Sequence, residues 1–419
     1  MESTHSTVQH VGSVGGDVAQ PARIRHGTAV SRAQPFLRAG QFRQARDLLA
    51  RHTLGVEPSL DIAYWRSQIA CAAEGGDGSW RVPMASLLAL RASCDPQEAD
   101  HALISHAQYL LESGELDGSE HILASIDPSA CVDDQRDVSI VLVKSLLLLR
   151  RGHVWEAYGV VQRCCEDAPS DRRPYAVALL SLRRARLLAC LGRHEGVTRE
   201  LLRLQRMSAV LGDPILGQQA ALQYAEALLF LGDHDEALIR LKKLAPRFAH
   251  SEHQANVAHH QKLLGWALMF EDPEGAIACI EHAISFYTRV GFEYHTMWCH
   301  VLLAAARLRR GDPADAVLHM VDQQALARWP MLKSEYVMLC GAFESSVEES
   351  LGKRLRRLRE WAVGCGYWAL TRRLPGPRDA PSLAKHAWPQ TMSNDVTSPV
   401  NDARDYQGFL SDESVCVVG

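Results

Sequence analysis

No apolar run in the 419 residues is long enough to cross a membrane. The best, SIVLVKSLLLL at 139–149, falls short of the ~18 residues a spanning helix needs and carries Lys144 within it. The N-terminus, MESTHSTVQHVGSVGG, lacks the basic start and apolar stretch of a signal peptide. Net charge is also scarce, at −4, which leaves no whole-molecule attraction to phosphate backbones or anionic membranes. The eleven cysteines are odd in number and form no CxxC pair. Several, including Cys71, Cys190, Cys279, Cys299 and Cys340, sit inside apolar helical text, where a reduced thiol behaves as a small hydrophobe. Together these absences predict a cytoplasmic chain with reduced thiols, no membrane segment and no general affinity for nucleic acid.

The motifs of several enzyme classes are missing as well. There is no GxxxxGK[ST], since Gly352-Lys353 lacks the upstream glycine and a following hydroxyl residue, and no GxSxG or HExxH. VGSVGGD at 11–17 is glycine-rich but follows no strand pattern. His250, His253, His259 and His260 crowd one segment, yet only His250 and His253 have helical ligand spacing, and a metal site needs three or four ligands. They read as solvated or hydrogen-bonded side chains. Vicinal Cys164 and Cys165 read as one core residue and one rim residue. The C-terminal Cys416-Val-Val-Gly419 has the wrong last residue for a prenylation box. No catalytic residue, cofactor or metal is expected.

What is present is repetition. LLFLGDHDEALIRL (228–241) places glycine between two apolar, helix-prone runs, and FLRAGQFRQARDLL does so 192 residues upstream. The phrase recurs around Gly114, Gly152, Gly192, Asp272 and Gly311, with spacings of 38, 40, 40, 40 and 39 from Gly114 onward. Seven residues before each turn stands a small side chain, namely Ala33, Ala107, Ser145, Ala185, Ala225, Gly265 and Ala304. A second follows twelve later: Ala45, Ser119, Ala157, Val197, Ala237 and Ala316, with Ala276 one residue early. Two helices need such pairs to approach closely across a short turn. One further unit fits between Gly40 and Gly114 on Ala70 and Ala85, if the turn EGGDGSW is three residues longer, making eight. Glycine can close the first helix in the left-handed conformation, and Asp233, Asp272 and Asp312 open the second in the later units.

This pattern resembles the tetratricopeptide repeat family over roughly residues 24–330. The period is longer than that family's 34, and its tryptophan and tyrosine are missing from most units. In this the chain is more similar to the helical arrays of MalT-type and peptide-sensing bacterial regulators, although neither an ATPase module nor a DNA-binding helix-turn-helix is evident. The resemblance implies an all-α, right-handed α-solenoid of about eight helix-turn-helix units. Residues 1–23 and 374–419 read as tails, and 331–373 as a further helical pair capping the array.

A solenoid of this kind lines its concave face with its first helices and binds there. Positions six and three before, and one and four after, each small marker share that face. The middle units present Ser139, Leu142, Leu146 and Leu149, then Leu179, Leu182, Arg186 and Ala189. The next present Gln219, Leu222, Glu226 and Leu229, then His259, Lys262, Trp266 and Met269, and last Trp298, Val301, Ala305 and Leu308. From these the candidate groove residues are Arg186, Gln219, Glu226, His259, Lys262, Trp266 and Trp298. The alternative is that the leucines pack against neighbouring repeats and the tryptophans fill the core. The expected role is a non-enzymatic adaptor or sensor for a protein or peptide. A carboxylate clamp for chaperone C-termini is not expected, because the corresponding places hold mainly Leu, Ala and Ser. The second functional reading is a regulatory subunit that meets nucleic acid or an acidic partner through Lys353, Arg354, Arg356 and Arg357 in GKRLRRLREW. Against it, Leu355, Leu358 and Trp361 make that segment an amphipathic terminal helix with a solvated basic face.

Overall fold

The computed structural model describes residues 19–53, 62–76, 80–90, 96–126, 134–167, 174–340 and 351–374, and among them every regular element is a helix. The greater part of both expected tails, residues 1–18 and 375–419, lies outside the described residues, Cys416 and VGSVGGD included. Eight antiparallel pairs follow one another: α1 (Ala19–Arg38) with α2 (Phe42–Thr53), α3 (Ile62–Gly75) with α4 (Arg81–Leu90), α5 (Pro96–Glu112) with α6 (Leu116–Ser125), and α7 (Asp134–Arg150) with α8 (Val154–Asp167). The series continues with α9 (Pro174–Cys190) and α10 (His194–Leu211), α11 (Pro214–Leu231) and α12 (His234–Phe248), α13 (Gln254–Leu268) and α14 (Pro273–Val290), and α15 (Glu293–Arg310) and α16 (Ala314–Leu318). After α17 (Gln323–Ala327) come α18 (Pro330–Cys340), α19 (Leu351–Cys365) and α20 (Trp368–Arg373). The described residues form an α-solenoid of helix-turn-helix units. Residues 19–23, read from sequence as tail, belong to α1. Among the described residues no helix is long and apolar enough to cross a membrane.

The turn chemistry explains the hairpins. At Gly232 the backbone takes φ 87°, where a side chain would collide with its own carbonyl, and the N–H groups of Gly232 and Asp233 close α11 on Leu229 and Leu228. Asp233 then accepts from the Glu236 N–H to start α12, and Asp272 accepts from Gly275 N–H at 2.9 Å to start α14. Asp312 does not cap. Its carboxylate pairs instead with Arg310 at 2.6 Å, and α16 starts at Pro313 without a side-chain cap. In the second unit Gly76 carries the positive φ and α4 begins five residues later, against two after Gly232, so its turn is three residues longer.

Most small markers lie where helices touch. Ala33, Ala107, Ser145, Ala185, Ala225 and Ala304 are completely buried, as are Ala45, Ser119, Ala157, Ala237 and Ala276. The tightest approach is at Gly265: a Cβ there would lie 2.5 Å from the Ile280 side chain and 2.9 Å from the Ala276 carbonyl oxygen. Three assignments slip by one residue, the first being Ala70, which is half-buried beside the buried Ile69. Ala85 and Ala316 are exposed, while Met84 and Val317 beside them face the core, because α4 and the five-residue α16 sit in a different register.

One further regularity decides where a site can be. Helix α3 packs on α13, α5 on α15, α7 on α18 and α9 on α20. With α18 and α20 counted as the first helices of units nine and ten, each contact joins units five apart (7−2, 8−3, 9−4, 10−5). The turn ends of the early first helices carry these contacts: Gly114 faces Glu293 and Trp329, Gly152 faces Pro330 and Trp361, and Gly192 faces Ala369 and Arg372. The array thus winds until its second superhelical turn seats on its first.

Because the α13–α14 contact leaves no room for a methyl group, Gly265→Ala is expected to destabilise the protein by about 1–3 kcal/mol through overpacking, despite the better helix propensity of alanine. Comparison of the variant's urea midpoint with wild type checks this.

Candidate functional site

The winding divides the inner face along its length. Six residues before the marker, Ser139, Leu179, Gln219 and His259 are all half-buried in four successive units. Four residues after it, Leu149, Ala189, Leu229 and Met269 are all buried. The C-terminal halves of the first helices carry the contacts with the following superhelical turn, whereas their N-terminal halves keep access to solvent. Leu142, Leu182, Arg183 and Arg186 extend the accessible strip.

Four of the seven candidate residues converge on one carboxylate. Oε1 of Glu226, on α11, lies 3.9 Å from the Arg186 guanidinium on α9, 3.6 Å from His259 Nε2 and 3.6 Å from Lys262 Nζ on α13. Gln223 donates to its other oxygen at 2.9 Å. Glu226 and Lys262 are 0 % exposed, whereas Arg186 retains 14 % and His259 25 % of their side-chain surface, so the cluster runs from the sealed interior to the accessible strip. Burial acts to raise the Glu226 pKa, but Arg186, Lys262 and His259 hold it well below the usual carboxylate range. Burial lowers the pKa values of Lys262 and His259, and for His259 the Lys262 charge adds to the effect. Three cationic or protonatable groups around one carboxylate leave several polar atoms short of direct hydrogen bonds, including Lys262 Nζ and His259 Nε2.

As groove residues Glu226 and Lys262, both 0 % exposed, require a correction, and so do Trp266 and Trp298. Trp266 is 0 % and Trp298 3 % exposed, so neither lines an open groove. Their ring centroids are 5.8 Å apart, and each packs on Phe230, at 5.3 and 5.7 Å. Lys262 Nζ lies 4.6 Å from the Trp298 ring. The physical reason is α20: it packs against α9 and α11 and brings Tyr367 and Arg373 over this aromatic cluster, with the Arg373 guanidinium 5.9 Å from the Trp266 ring. Gln219 stays on the accessible strip.

Two further buried ion pairs belong to the same interior. Arg373 grips Glu335 through two nitrogens while Tyr367 donates to the same carboxylate. Arg150 pairs with Glu112 at 2.7 Å, His295 lies 3.3 Å from that carboxylate, and the Arg150 guanidinium stacks on Tyr294 at 4.3 Å. A cavity of about 10 Å³, room for one water, lies among Arg186, Tyr294, Glu335 and Tyr367. Glu112, Arg150, Glu335 and Tyr367 escaped the sequence reading, yet the ion pairs carry a signal. Arg150 and Glu112 are 38 residues apart, as are Arg373 and Glu335, and Arg186 and Glu226 are 40 apart (226−186), so opposite charges recur one repeat apart in register.

The other singled-out residues lie elsewhere. On α19, Lys353, Arg356 and Arg357 are exposed and Arg354 is half-buried, while Leu355 and Leu358 are buried and Trp361 packs inward against Gly152. His253 is buried as the cap of α13, accepting from Asn256 N–H and meeting Phe42 edge-on at 5.0 Å. His260 reaches the Leu241 carbonyl at 2.9 Å, and His250 is exposed. Cys164 and Cys165 are both half-buried, not split between core and rim.

No family model matches this chain, and no curated protein does. Among solved structures, a Rap protein complexed with Competence and Sporulation Factor is similar at TM-score 0.49 and 11 % identity, over 88 % of this chain and 100 % of that one. The TPR domain of P58(IPK) is similar at TM-score 0.24 and 15 % identity, over 86 % of this chain and 99 % of that domain. By its own geometry the chain is a helical-repeat protein built of successive helix-turn-helix units.

Glu226→Gln leaves Lys262 and Arg186 facing each other without a counter-charge, and is expected to cost about 3–5 kcal/mol, in part recovered by adding Lys262→Met; urea unfolding of the single and double variants measures both. His234 makes stability depend on pH. Burial, with Arg373 and Arg309 nearby, pushes His234 down to about 4 from 6.5. Between those pH values the unfolded chain binds a proton that the folded chain refuses, so stability falls as pH falls. Thermal melts across this window should show a smaller decline for His234→Gln than for wild type.

Proposed function

We propose that this chain is a non-enzymatic adaptor or sensor that binds a protein or peptide segment along the accessible strip of its inner face. One observation carries the reading: the same inner-face position stays half-buried in four successive units, giving Ser139, Leu179, Gln219 and His259 in a row, bordered by Leu142, Leu182 and Arg186. Packed helices stand about 8–10 Å apart, so three intervals span about 24–30 Å, the length of an extended peptide of about eight or nine residues. Apolar side chains along such a strip supply affinity, and the amide, imidazole and guanidinium groups set register. The buried half of the face acts as the rigid backing that holds these side chains in place.

A reducing compartment suits the chain. The eight cysteines among the described residues are free thiols, and burial pushes Cys190 and Cys299 up to about 12, which makes them inert packing groups. The exposed cations of α19 lie on the solvent side of a helix whose apolar side packs inward, as a solvated face does.

Selection of random dodecapeptides on the full chain tests the proposal, with Leu182→Arg as a strip-blocking variant whose melting temperature matches wild type. Selected peptides are expected to lose about ten-fold or more in affinity on Leu182→Arg, a change of at least about 1.4 kcal/mol, and to tolerate added salt. Equal binding to both chains, or binding abolished only by Arg356→Glu/Arg357→Glu with steep salt dependence, overturns it.

A further inference from the structure

The ion-pair network of the interior leaves one cation over. Arg183 lies on α9 four residues after Leu179 and three before Arg186, a spacing that puts all three on one face of the helix, the face that forms the accessible strip. Its side chain is half-buried, and its Nε is buried without an acceptor. The charges around it are the like-signed Arg186 and Arg150 and the opposite-signed Glu112 and Glu226. Both carboxylates are already taken: Glu112 by Arg150 and His295, Glu226 by Arg186, Lys262 and His259. Among the described residues, no carboxylate lies within ion-pair distance of Arg183.

Arg150, Arg183, Arg186 and Lys262 gather around the two carboxylates Glu112 and Glu226, and of these four cations Arg183 is the one with no carboxylate among the described residues within ion-pair distance. Burial, followed by the repulsion of Arg186 and Arg150, lowers the Arg183 pKa to about 9, a large concession for a guanidinium. Keeping such a group in place is costly unless something pairs with it. By contrast Arg184, the next residue, points away from the strip and is satisfied by Glu200.

We propose that Arg183, with Arg186 beside it, is the anchor for a carboxylate carried by the bound peptide, so that the inner face selects acidic peptides. The inference rests on the peptide-binding reading above and adds the chemistry of its ligand. A planar guanidinium offers two parallel N–H donors that match the two oxygens of a carboxylate. An Asp or Glu side chain and a peptide's terminal carboxylate present the same fork, and Leu179 and Leu182 on the same helix supply the apolar contact next to it.

The test uses three synthetic nonapeptide pools of equal Leu, Ser, Gln and Gly content, one with two Asp, one with two Lys and one neutral, each as free acid and as C-terminal amide. Retention on full-length wild type, Arg183→Gln and Arg183→Lys is read by mass spectrometry, and the melting temperature of each ligand-free chain is recorded. Wild type is expected to favour the acidic pool by about ten-fold or more, the size of one charge-assisted hydrogen bond. Arg183→Gln should abolish that preference and melt at or above wild type, because it removes a repelled charge; Arg183→Lys should keep part of the preference. Loss of retention for the amides alone assigns the terminal carboxylate, and equal retention of acids and amides assigns the side chains. If wild type holds all three pools equally and holds the free acids no better than the amides, or if Arg183→Gln keeps the preference for carboxylates, the anchor is overturned while peptide binding stands. If Arg183→Gln melts clearly below wild type, the side chain holds the fold and the anchor is likewise overturned. If no pool is retained, both readings fall.

Discussion

The contact between units five apart is the constraint on which the rest of this molecule depends. A helical-repeat array that touched only its neighbours would leave its whole concave face to solvent. Here the turn ends of the first helices abut the following superhelical turn, with Gly152 against Pro330 and Trp361 and Gly192 against Ala369, and that seating withdraws half of the inner face from water. Everything polar on the withdrawn half must then find a partner inside, and everything on the other half remains available.

The ion pairs follow from that division. Glu112, Glu226 and Glu335 each stand in the interior with a guanidinium from another unit, and the partners are separated by about one repeat in sequence. Such pairs add little net stability, since the desolvation of two charges offsets most of their attraction. Their effect is on register. A unit that slipped along its neighbour would bury a carboxylate opposite Leu or Ala, so the ladder of charges disfavours wrong stacking more than it strengthens the right one. The aromatic cluster of Phe230, Trp266, Trp298 and Tyr367 does the complementary work, tying α20 to the middle of the array through close ring contacts. The C-terminal helices are therefore part of the interior as well as the end of the chain.

The same division gives the inner face its two properties. Side chains at its accessible edge, such as Arg186 and His259, are held from behind by a sealed carboxylate. Arg183 differs because nothing holds it from behind. On the reading proposed above, that one uncompensated charge discriminates ligands by charge while the rest of the face supplies fit.

The sequence by itself determined the repeat. A left-handed turn at Gly232, a capping Asp233 and paired small residues such as Ala225 and Ala237 are local demands of a tight helical hairpin, and local demands are written in local text. The inner-face register was legible too, since Arg186, Glu226, His259 and Lys262, chosen by helical spacing, meet at one carboxylate. Where local signals were weak the reading slipped: Ala316 stands on a five-residue helix that turns its Val317 inward, and Asp312 prefers Arg310 to a cap. Only the tertiary structure decided which of the inner-face residues stay open to solvent. Trp266 and Trp298 carry the same periodicity as Gln219 and His259, but their burial is imposed by Phe230 of α11 and by the Tyr367 and Arg373 that α20 brings over them. The pitch of the superhelix sums small rotations over many units, and no single repeat encodes that sum.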